Sequence, residues 1–345
     1  MFKISMTKSL VLTILLSLGV LGLNAQTLAE EPGQPVAGKL QITTGELQHL
    51  QAQRIPGIEG RVAITGAAVA GKRIVAVGDH GAILLSDDAG KTFRQAKNVP
   101  TRLTFTSVSF VDAQHGWAAG HWGAIFATTD GGENWILQRD ERKADLPILS
   151  IWFKDAQNGY AAGIWSTFLR TQDGGKTWNP ITIPAPPGAK HADLNLFKLF
   201  PDSKGGLYVV AERGLVLHSK DEGEHWDFMD TGNKGSLWAG VALRDGTLVV
   251  GGLLGKAFAS RDAGKTWQAS ATNTDSSITD LAEDADGKLI GVALDGVSLV
   301  STDSGANYMM SQRDDRLSLT AMALLPGSAP VLFSKTGVAR AEATH

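Results

Sequence analysis

Six aspartates recur along this chain at intervals of 41 to 48 residues, each inside the same eight-residue pattern. A carboxylate repeated in this way could bind calcium, act as a catalytic acid, or close a turn. The shared formula is Ser/Thr-x-Asp-x-Gly-x-x-aromatic. Its copies are SDDAGKTF (Ser86 to Phe93), TTDGGENW (Thr128 to Trp135), TQDGGKTW (Thr171 to Trp178), SKDEGEHW (Ser219 to Trp226), SRDAGKTW (Ser260 to Trp267) and STDSGANY (Ser301 to Tyr308).

The residue types in the pattern favour a structural role. Each aspartate lies alone in its repeat, without a second acid at calcium-ligand spacing, and its carboxylate can accept hydrogen bonds from nearby backbone N–H groups. The glycine two positions later supplies the positive φ of a tight reversal, and the final aromatic residue can wedge between neighbouring sheets. We interpret the pattern as a hairpin turn, called here the Asp-box turn. Its aspartates are Asp88, Asp130, Asp173, Asp221, Asp262 and Asp303.

The period of the repeat predicts the fold. About forty residues is the length of one four-stranded propeller blade, and such units must stack to bury their apolar faces. The segments DAQHGWAAG (Asp112 to Gly120) and DAQNGYAAG (Asp155 to Gly163) show that the whole blade recurs. We expect an all-β, seven-bladed propeller of four-stranded antiparallel blades. Six blades are complete, and the seventh would combine strands from Ser318 to Arg340 with an N-terminal strand within Glu46 to Ile55.

The N-terminus resembles a secretory signal peptide. Lys3 and Lys8 precede an apolar run from Leu10 to Leu23, and small residues allow cleavage after Ala25 or Ala29. The sequence therefore predicts a signal peptide over residues 1–29 and one propeller domain over residues 30–345, in the periplasm or secreted. The apolar run is shorter than the roughly twenty residues of a membrane-spanning helix. The chain has no cysteine to carry a lipid, and we expect a monomer without a membrane span after cleavage.

Composition argues against nucleic-acid binding. Removing Lys3 and Lys8 with the leader leaves 30 basic residues against 35 acidic ones, a formal charge of −5. A net acidic chain is poorly suited to the nucleic-acid backbone. The eight histidines are scattered without a carboxylate cluster at ligand spacing, and the glycine-rich stretches do not open a helix. We expect no metal and no cofactor.

The strand GWAAG followed by G-x-I-x-x-T-x-DGG-x-x-W resembles the photosystem II stability and assembly factor family of bacterial-neuraminidase-type repeat propellers. The likeness covers roughly Arg61 to Arg340. It implies an extracytoplasmic scaffold or assembly factor that contacts membrane proteins and has no enzymatic activity. In bacteria without photosynthesis, similar proteins resemble companions of export pumps of the resistance-nodulation-division type.

A glycan-binding or glycan-cleaving propeller is the alternative, because Asp-box turns also occur in sialidases. Arg54-Ile55-Pro56 is similar to the Arg-Ile-Pro element of those enzymes. A sialidase, however, needs a tyrosine nucleophile activated by a glutamate, and an arginine triad. The three tyrosines of this chain, Tyr160, Tyr208 and Tyr308, all fall at strand or turn positions of the repeat. We expect them to be structural.

Topology places the candidate binding residues on the face opposite the Asp-box turns. Loops joining second to third strands and blade to blade share that face, where variable side chains stand on a rigid scaffold. Trp122 and Trp165 would contact a partner or stack on a sugar, or else fold over a blade. Phe105, Ile148 and Trp238 would line the channel mouth or pack in the core. The predicted partner-binding residues are His80, His121, Trp122, Arg139, Arg142, Trp165, Lys190, Arg213, Trp238, Arg313 and Arg316.

Overall fold

The computed structural model describes residues 51–340, which form seven small antiparallel sheets arranged in sequence order. The predicted signal peptide and residues 46–50 of the expected N-terminal strand lie outside the described residues. Each sheet is one blade, and its strands are hydrogen-bonded in chain order from first to last. The first strands of adjacent blades pack against one another around the whole ring, including that of blade seven against that of blade one. The predicted seven-bladed propeller is confirmed.

The strand bounds show how regularly the unit repeats. Blade one contains β1 (Ile64–Ala70), β2 (Arg73–Gly78), β3 (Ile83–Ser86) and β4 (Arg94–Gln95). Blade two contains β5 (Phe105–Phe110), β6 (Gly116–Gly120), β7 (Ile125–Thr128) and β8 (Ile136–Arg139). Blade three contains β9 (Ile148–Phe153), β10 (Gly159–Gly163), β11 (Phe168–Thr171) and β12 (Asn179–Pro180). Blade four contains β13 (Leu196–Pro201), β14 (Leu207–Ala211), β15 (Leu215–Ser219) and β16 (Asp227–Asp230).

The remaining blades follow the same order, except that the last is shorter. Blade five contains β17 (Leu237–Ala242), β18 (Leu248–Gly252), β19 (Ala257–Ser260) and β20 (Gln268–Ala269). Blade six contains β21 (Ile278–Glu283), β22 (Leu289–Ala293), β23 (Val297–Ser301) and β24 (Met309–Gln312). Blade seven contains β25 (Leu319–Ala323), β26 (Val331–Ser334) and β27 (Gly337–Ala339). Short 3₁₀ turns occur at Ile58–Gly60, Asp79–Gly81, His121–Gly123, Ile164–Ser166, Glu212–Gly214, Leu253–Gly255 and Leu294–Gly296.

The core is divided into seven apolar clusters, one in each seam between neighbouring blades. In blades two to six the second strand is buried along its whole length, as in GWAAG of β6, because blades cover both of its faces. The aromatic residue that ends each Asp-box turn packs in the seam with the preceding blade. Trp135 of blade two, for example, lies in the cluster with Val75 and Leu85 of blade one. The predicted wedge between sheets is confirmed.

Ring closure differs from the expectation in one respect. Blade seven has three strands among the described residues, and Gln51 to Ile55 form no strand. This segment instead bonds to blade one, where the Ala52 N–H donates to the Val99 carbonyl at 3.0 Å. The described residues close the ring through β25, whose Thr320 hydroxyl donates to the Ile64 carbonyl of β1 at 2.5 Å.

Candidate partner-binding face

The Asp-box turns are self-contained hydrogen-bonded units. In the blade-one turn, Asp88 accepts from the Thr92 hydroxyl at 2.6 Å and from the Thr92 N–H at 2.9 Å. The Ser86 hydroxyl donates to Asp88 at 2.8 Å and accepts from the Gly90 N–H at 2.8 Å. The same arrangement recurs around Asp130, Asp173, Asp221, Asp262 and Asp303. Each of these carboxylates is thus engaged by hydrogen bonds within its own turn.

The turns also hold their carboxyl groups in the ionised form. Hydrogen bonds from the Thr92 side chain and backbone lower the pKa of Asp88 to about 2. The backbone and side chain of Thr177 lower the pKa of Asp173 to about 2 in the same way. The glycines after each aspartate have φ between 81° and 89°, which confirms the predicted need for glycine: they are Gly90, Gly132, Gly175, Gly223, Gly264 and Gly305.

The three tyrosines are buried, which confirms their structural placement. Tyr160, Tyr208 and Tyr308 are each at most 4% exposed. The Tyr160 hydroxyl donates to the Glu222 carbonyl, and the Tyr208 hydroxyl donates to Asp202 at 3.1 Å. Burial raises the pKa of Tyr208 and that of Tyr308. A sialidase-type nucleophile must reach substrate, so none of these phenols is placed for that role.

The opposite face, called here the loop face, is formed by the turns between second and third strands and by the blade-to-blade connections. These two sets of loops bond to each other. The Glu141 N–H donates to the Trp122 carbonyl at 2.9 Å, and the Thr231 N–H donates to the Gly214 carbonyl at 3.1 Å. The connections thus support the turns and fix where their tips project.

The middle residue of each such 3₁₀ turn adopts a left-handed conformation, although it is never glycine. Its φ lies between 53° and 60° in six blades. Bulky residues are uncommon in this region because their Cβ crowds the backbone. The six residues, called here the tip residues, are His80, Trp122, Trp165, Arg213, Leu254 and Asp295.

The tip residues are exposed and chemically diverse. Trp165 and Leu254 are 66% and 63% exposed, and Trp122 is 37% exposed. The Trp122 ring carries the Arg142 guanidinium 5.0 Å above its centre, a cation–π contact. Trp165 does not fold over its blade, and its backbone N–H donates to the Asn195 side chain at 3.1 Å. An exposed tryptophan on a fixed turn is suited to contact a partner.

Most of the predicted site residues lie on this face, but two of the arginines have structural roles. Arg139 is half-buried, its guanidinium donates to the Gly123 carbonyl at 2.6 Å, and burial lowers its pKa. Arg313 donates to Asp315 and to the Arg340 carbonyl. The predicted residues that are exposed are His80, His121, Trp122, Arg142, Trp165, Lys190, Arg213 and Arg316.

The sequence analysis missed Leu254. It occupies the same tip position as Trp122 and Trp165, in the turn Leu253–Gly255 of blade five. A signal was present, since a residue followed by glycine or serine between the second and third strands marks each tip. A leucine between two strands is more often a core residue, but this one is exposed.

The structure shows that Phe105, Ile148 and Trp238 do not occupy matching positions at the channel mouth. Phe105 and Ile148 are 1% and 0% exposed, and they pack in the core. Trp238 is partly exposed and lines the central channel. Trp238 lies one residue beyond Leu237, the true equivalent of Phe105 and Ile148. A shift of one residue turns a strand side chain to the other side, which explains the error.

Within residues 51–340 there is no group of three or more His, Cys, Asp or Glu side chains that could hold a metal ion. The same residues contain no helix long and apolar enough to cross a membrane.

The fold and its two faces define a class: a seven-bladed Asp-box propeller with structural turns on one face and a variable loop face on the other. A model of the family described as photosynthesis system II assembly factor YCF48 matches residues 141–337, more than half of the chain. The chain belongs to this family. No curated protein matches it significantly in sequence.

Solved structures share the fold at low sequence identity. The structure described as YCF48 bound to D1 peptide is 18% identical with a TM-score of 0.66, covering 83% of this chain and 94% of that chain. YCF48 from Cyanidioschyzon merolae is 15% identical with a TM-score of 0.64, covering 84% and 97%. The Cps50 (Swd1) beta-propeller domain of Myceliophteria thermophila is 12% identical with a TM-score of 0.63, covering 80% and 95%.

Proposed function

We propose that this chain is a non-enzymatic assembly or accessory factor that binds a membrane protein or membrane complex through the loop face. Family membership supports the assembly role. A related propeller solved with a bound D1 peptide supports recognition of a polypeptide segment. The partner of this chain would present such a segment outside the cytoplasm, in keeping with the signal-peptide-like N-terminus.

One observation carries the choice of face. The left-handed positions of the loop face carry exposed Trp122, Trp165 and Leu254, whereas the left-handed positions of the Asp-box turns carry only glycine, alanine, serine or glutamate. Such a conformation costs on the order of 1 kcal/mol per residue relative to glycine, and glycine would fit the turn. Strain of this kind concentrates where a side chain serves a function. The exposed Trp165 and Leu254 show which side chains are presented.

The chemistry of the loop face suggests a partner segment that is both apolar and acidic. Trp122, Trp165 and Leu254 provide apolar contacts. Arg142, Lys190 and Arg213 add exposed cations, of which Arg142 also donates to Asp140 at 2.6 Å and Arg213 to Asp193 at 3.3 Å. Aromatic and arginine side chains commonly supply most of the binding energy in interfaces. A component of a resistance-nodulation-division export system is the partner we propose for a bacterium without photosynthesis.

The test is a crosslinking pull-down from intact cells with two charge-reversed variants. The loop-face variant carries Arg142→Glu, Lys190→Glu and Arg213→Glu, which avoids the structural Arg139 and Arg313. The matched control carries Lys176→Glu, Lys220→Glu and Lys265→Glu, three exposed lysines of Asp-box turns.

We expect the native chain and the control to recover the same membrane protein, and the loop-face variant to lose it. Fractionation of the same cells should find the chain outside the cytoplasm. Equal recovery by both variants would contradict the assignment of the loop face. If the native chain instead recovers or cleaves polysaccharide, the glycan alternative replaces the scaffold.

A further inference from the structure

The central channel contains a cavity at its loop-face end, and none of the six tip residues lines it. Its volume is about 260 Å³. The first strand of every blade has a bulge near its start, where one residue is left out of the pairing with the second strand. The bulge residues line the cavity: Thr65, Thr106, Leu149, Phe197, Trp238, Thr279 and Thr320.

The ring of bulge residues is divided into two arcs. Blades six, seven, one and two contribute threonines, and blades three, four and five contribute Leu149, Phe197 and Trp238. The threonine hydroxyls use their protons to join neighbouring blades: Thr106, for example, donates to the Ile148 carbonyl at 2.5 Å. Equivalent bonds run from Thr65 to Phe105, from Thr279 to Leu319 and from Thr320 to Ile64. The cavity therefore has an apolar arc opposite an arc of threonines whose hydroxyls are bonded to neighbouring blades.

An ion pair lies beside the apolar arc. The Lys198 ammonium of blade four is 3.4 Å from the Asp280 carboxylate of blade six, with blade five between them. Asp280 also accepts from the Leu281 N–H at 3.1 Å and from the Met322 N–H at 3.3 Å. Backbone donors thus stabilise Asp280 independently of the lysine.

Lys198 is in contrast held loosely. Its side chain is 41% exposed, its contact with Asp280 is long, and an ammonium group can donate three hydrogen bonds. The Lys198 ammonium can therefore donate to a second anion. Asp280 meanwhile keeps its hydrogen bonds from the Leu281 and Met322 N–H groups. The threonine hydroxyls donate to backbone carbonyls, so Lys198 is the cationic group of the cavity lining. Phe197 and Trp238 would then cover an apolar group attached to a carboxylate at Lys198.

We propose that the channel mouth binds a small carboxylate carried on an aromatic or branched apolar group, with the carboxylate at Lys198 and the apolar group against Phe197 and Trp238. A cavity of about 260 Å³ suits a small ligand, since pockets for drug-sized molecules measure roughly 300–1,000 Å³. Access to the cavity is from the loop face, because each bulge lies at the start of its first strand.

The experiment uses phenylacetate as the probe and phenylacetamide as its uncharged match. The mature chain is labelled with 5-fluorotryptophan, and the change Trp238→Phe identifies the fluorine resonance of Trp238. We expect phenylacetate to shift that resonance in a saturable manner at millimolar concentration, and phenylacetamide to leave it nearly unchanged. Titration calorimetry on the native chain should give a matching affinity.

The variant Lys198→Met should weaken phenylacetate binding by about tenfold or more, since it removes a hydrogen bond between two charged groups. The control Lys204→Met removes an exposed lysine of the same blade on the Asp-box face and should bind as the native chain does. Thermal unfolding of both variants checks that the ring is intact. Equal affinity for the acid and the amide, or a Trp238 resonance that does not move, would overturn the proposal. Neither result bears on the partner contact at the loop face.

Discussion

The two faces of this propeller use the same backbone conformation for opposite purposes. On the Asp-box face, the residue after each aspartate has φ between 56° and 74°, and it is Ala89, Gly131, Gly174, Glu222, Ala263 or Ser304. On the loop face the left-handed position carries the six tip residues, among them two tryptophans and a leucine. The first face satisfies its own polar groups and holds the blades together. The second exposes larger side chains at the same backbone conformation, as at Trp165 and Leu254.

The largest expected effect is the loss, at acid pH, of the stability that the Asp-box turns contribute. The pKa values of Asp88, Asp173, Asp262 and Asp303 are lowered to about 2 by hydrogen bonds within their turns. A lowered pKa in the folded state adds stability above the unfolded value near 4, and this stability is lost as pH falls toward 2. Urea unfolding should therefore show a steep fall in the free energy of unfolding between pH 4 and pH 2.

The change Asp262→Asn gives the control for this expectation. It removes one titrating group but keeps an oxygen that can accept from Thr266, so the pH dependence of the variant should be weaker than that of the native chain. A free energy of unfolding that stays constant between pH 4 and pH 2 would contradict the structural role of the Asp-box carboxylates.

Tryptophans on the two faces should differ strongly in their effect on stability. Trp135 ends an Asp-box turn, is 1% exposed and donates to the Gly132 carbonyl at 2.9 Å. Trp135→Ala should cost about 3–5 kcal/mol because it leaves a cavity in the seam between blades one and two. Trp165→Ala, on the loop face, should change stability by less than about 0.5 kcal/mol. Urea unfolding monitored by circular dichroism measures both. Similar losses would show that Trp165 is a core residue.

Removing a glycine from the Asp-box face should lower stability, whereas introducing one on the loop face should not. Gly223 has φ 82°, and a Cβ there would meet the Tyr160 ring at 2.7 Å. We expect Gly223→Ala to destabilise by about 1–2 kcal/mol. Leu254→Gly relieves a left-handed leucine, so it should leave stability unchanged or raise it by up to about 1 kcal/mol while weakening partner recovery. A stable Leu254→Gly variant that still recovers the partner fully would exclude Leu254 from the contact.

The smallest effect concerns ring closure. Thr320→Val removes the hydroxyl that donates to the Ile64 carbonyl between blades seven and one, at a cost of about 1 kcal/mol. Thr302→Val, at an exposed Asp-box position, is the matched control and should be neutral. Differential scanning calorimetry can resolve the two. Equal melting temperatures would mean that packing alone closes the ring.

The sequence predicted the local features of this molecule better than the long-range ones. The Asp-box turns follow from a few adjacent residues, so Asp88 and Gly90 could be assigned without a structure. The bulge in each first strand depends on pairing with another strand, and the channel position of Trp238 against the buried Phe105 was therefore misread by one residue. The burial of Arg139 depends on the Gly123 carbonyl, sixteen residues away, and left no local signal.

The most direct test of the division between faces is site-specific photo-crosslinking in intact cells. A benzophenone amino acid replaces Trp165 or Leu254 on the loop face, or Lys176 or Lys265 on the Asp-box face; all four positions are exposed. We predict that the two loop-face positions form adducts with the same membrane protein and that the two Asp-box positions form none with it. Adducts of equal yield from both faces, or from the Asp-box face alone, would contradict the assignment of partner binding to the loop face.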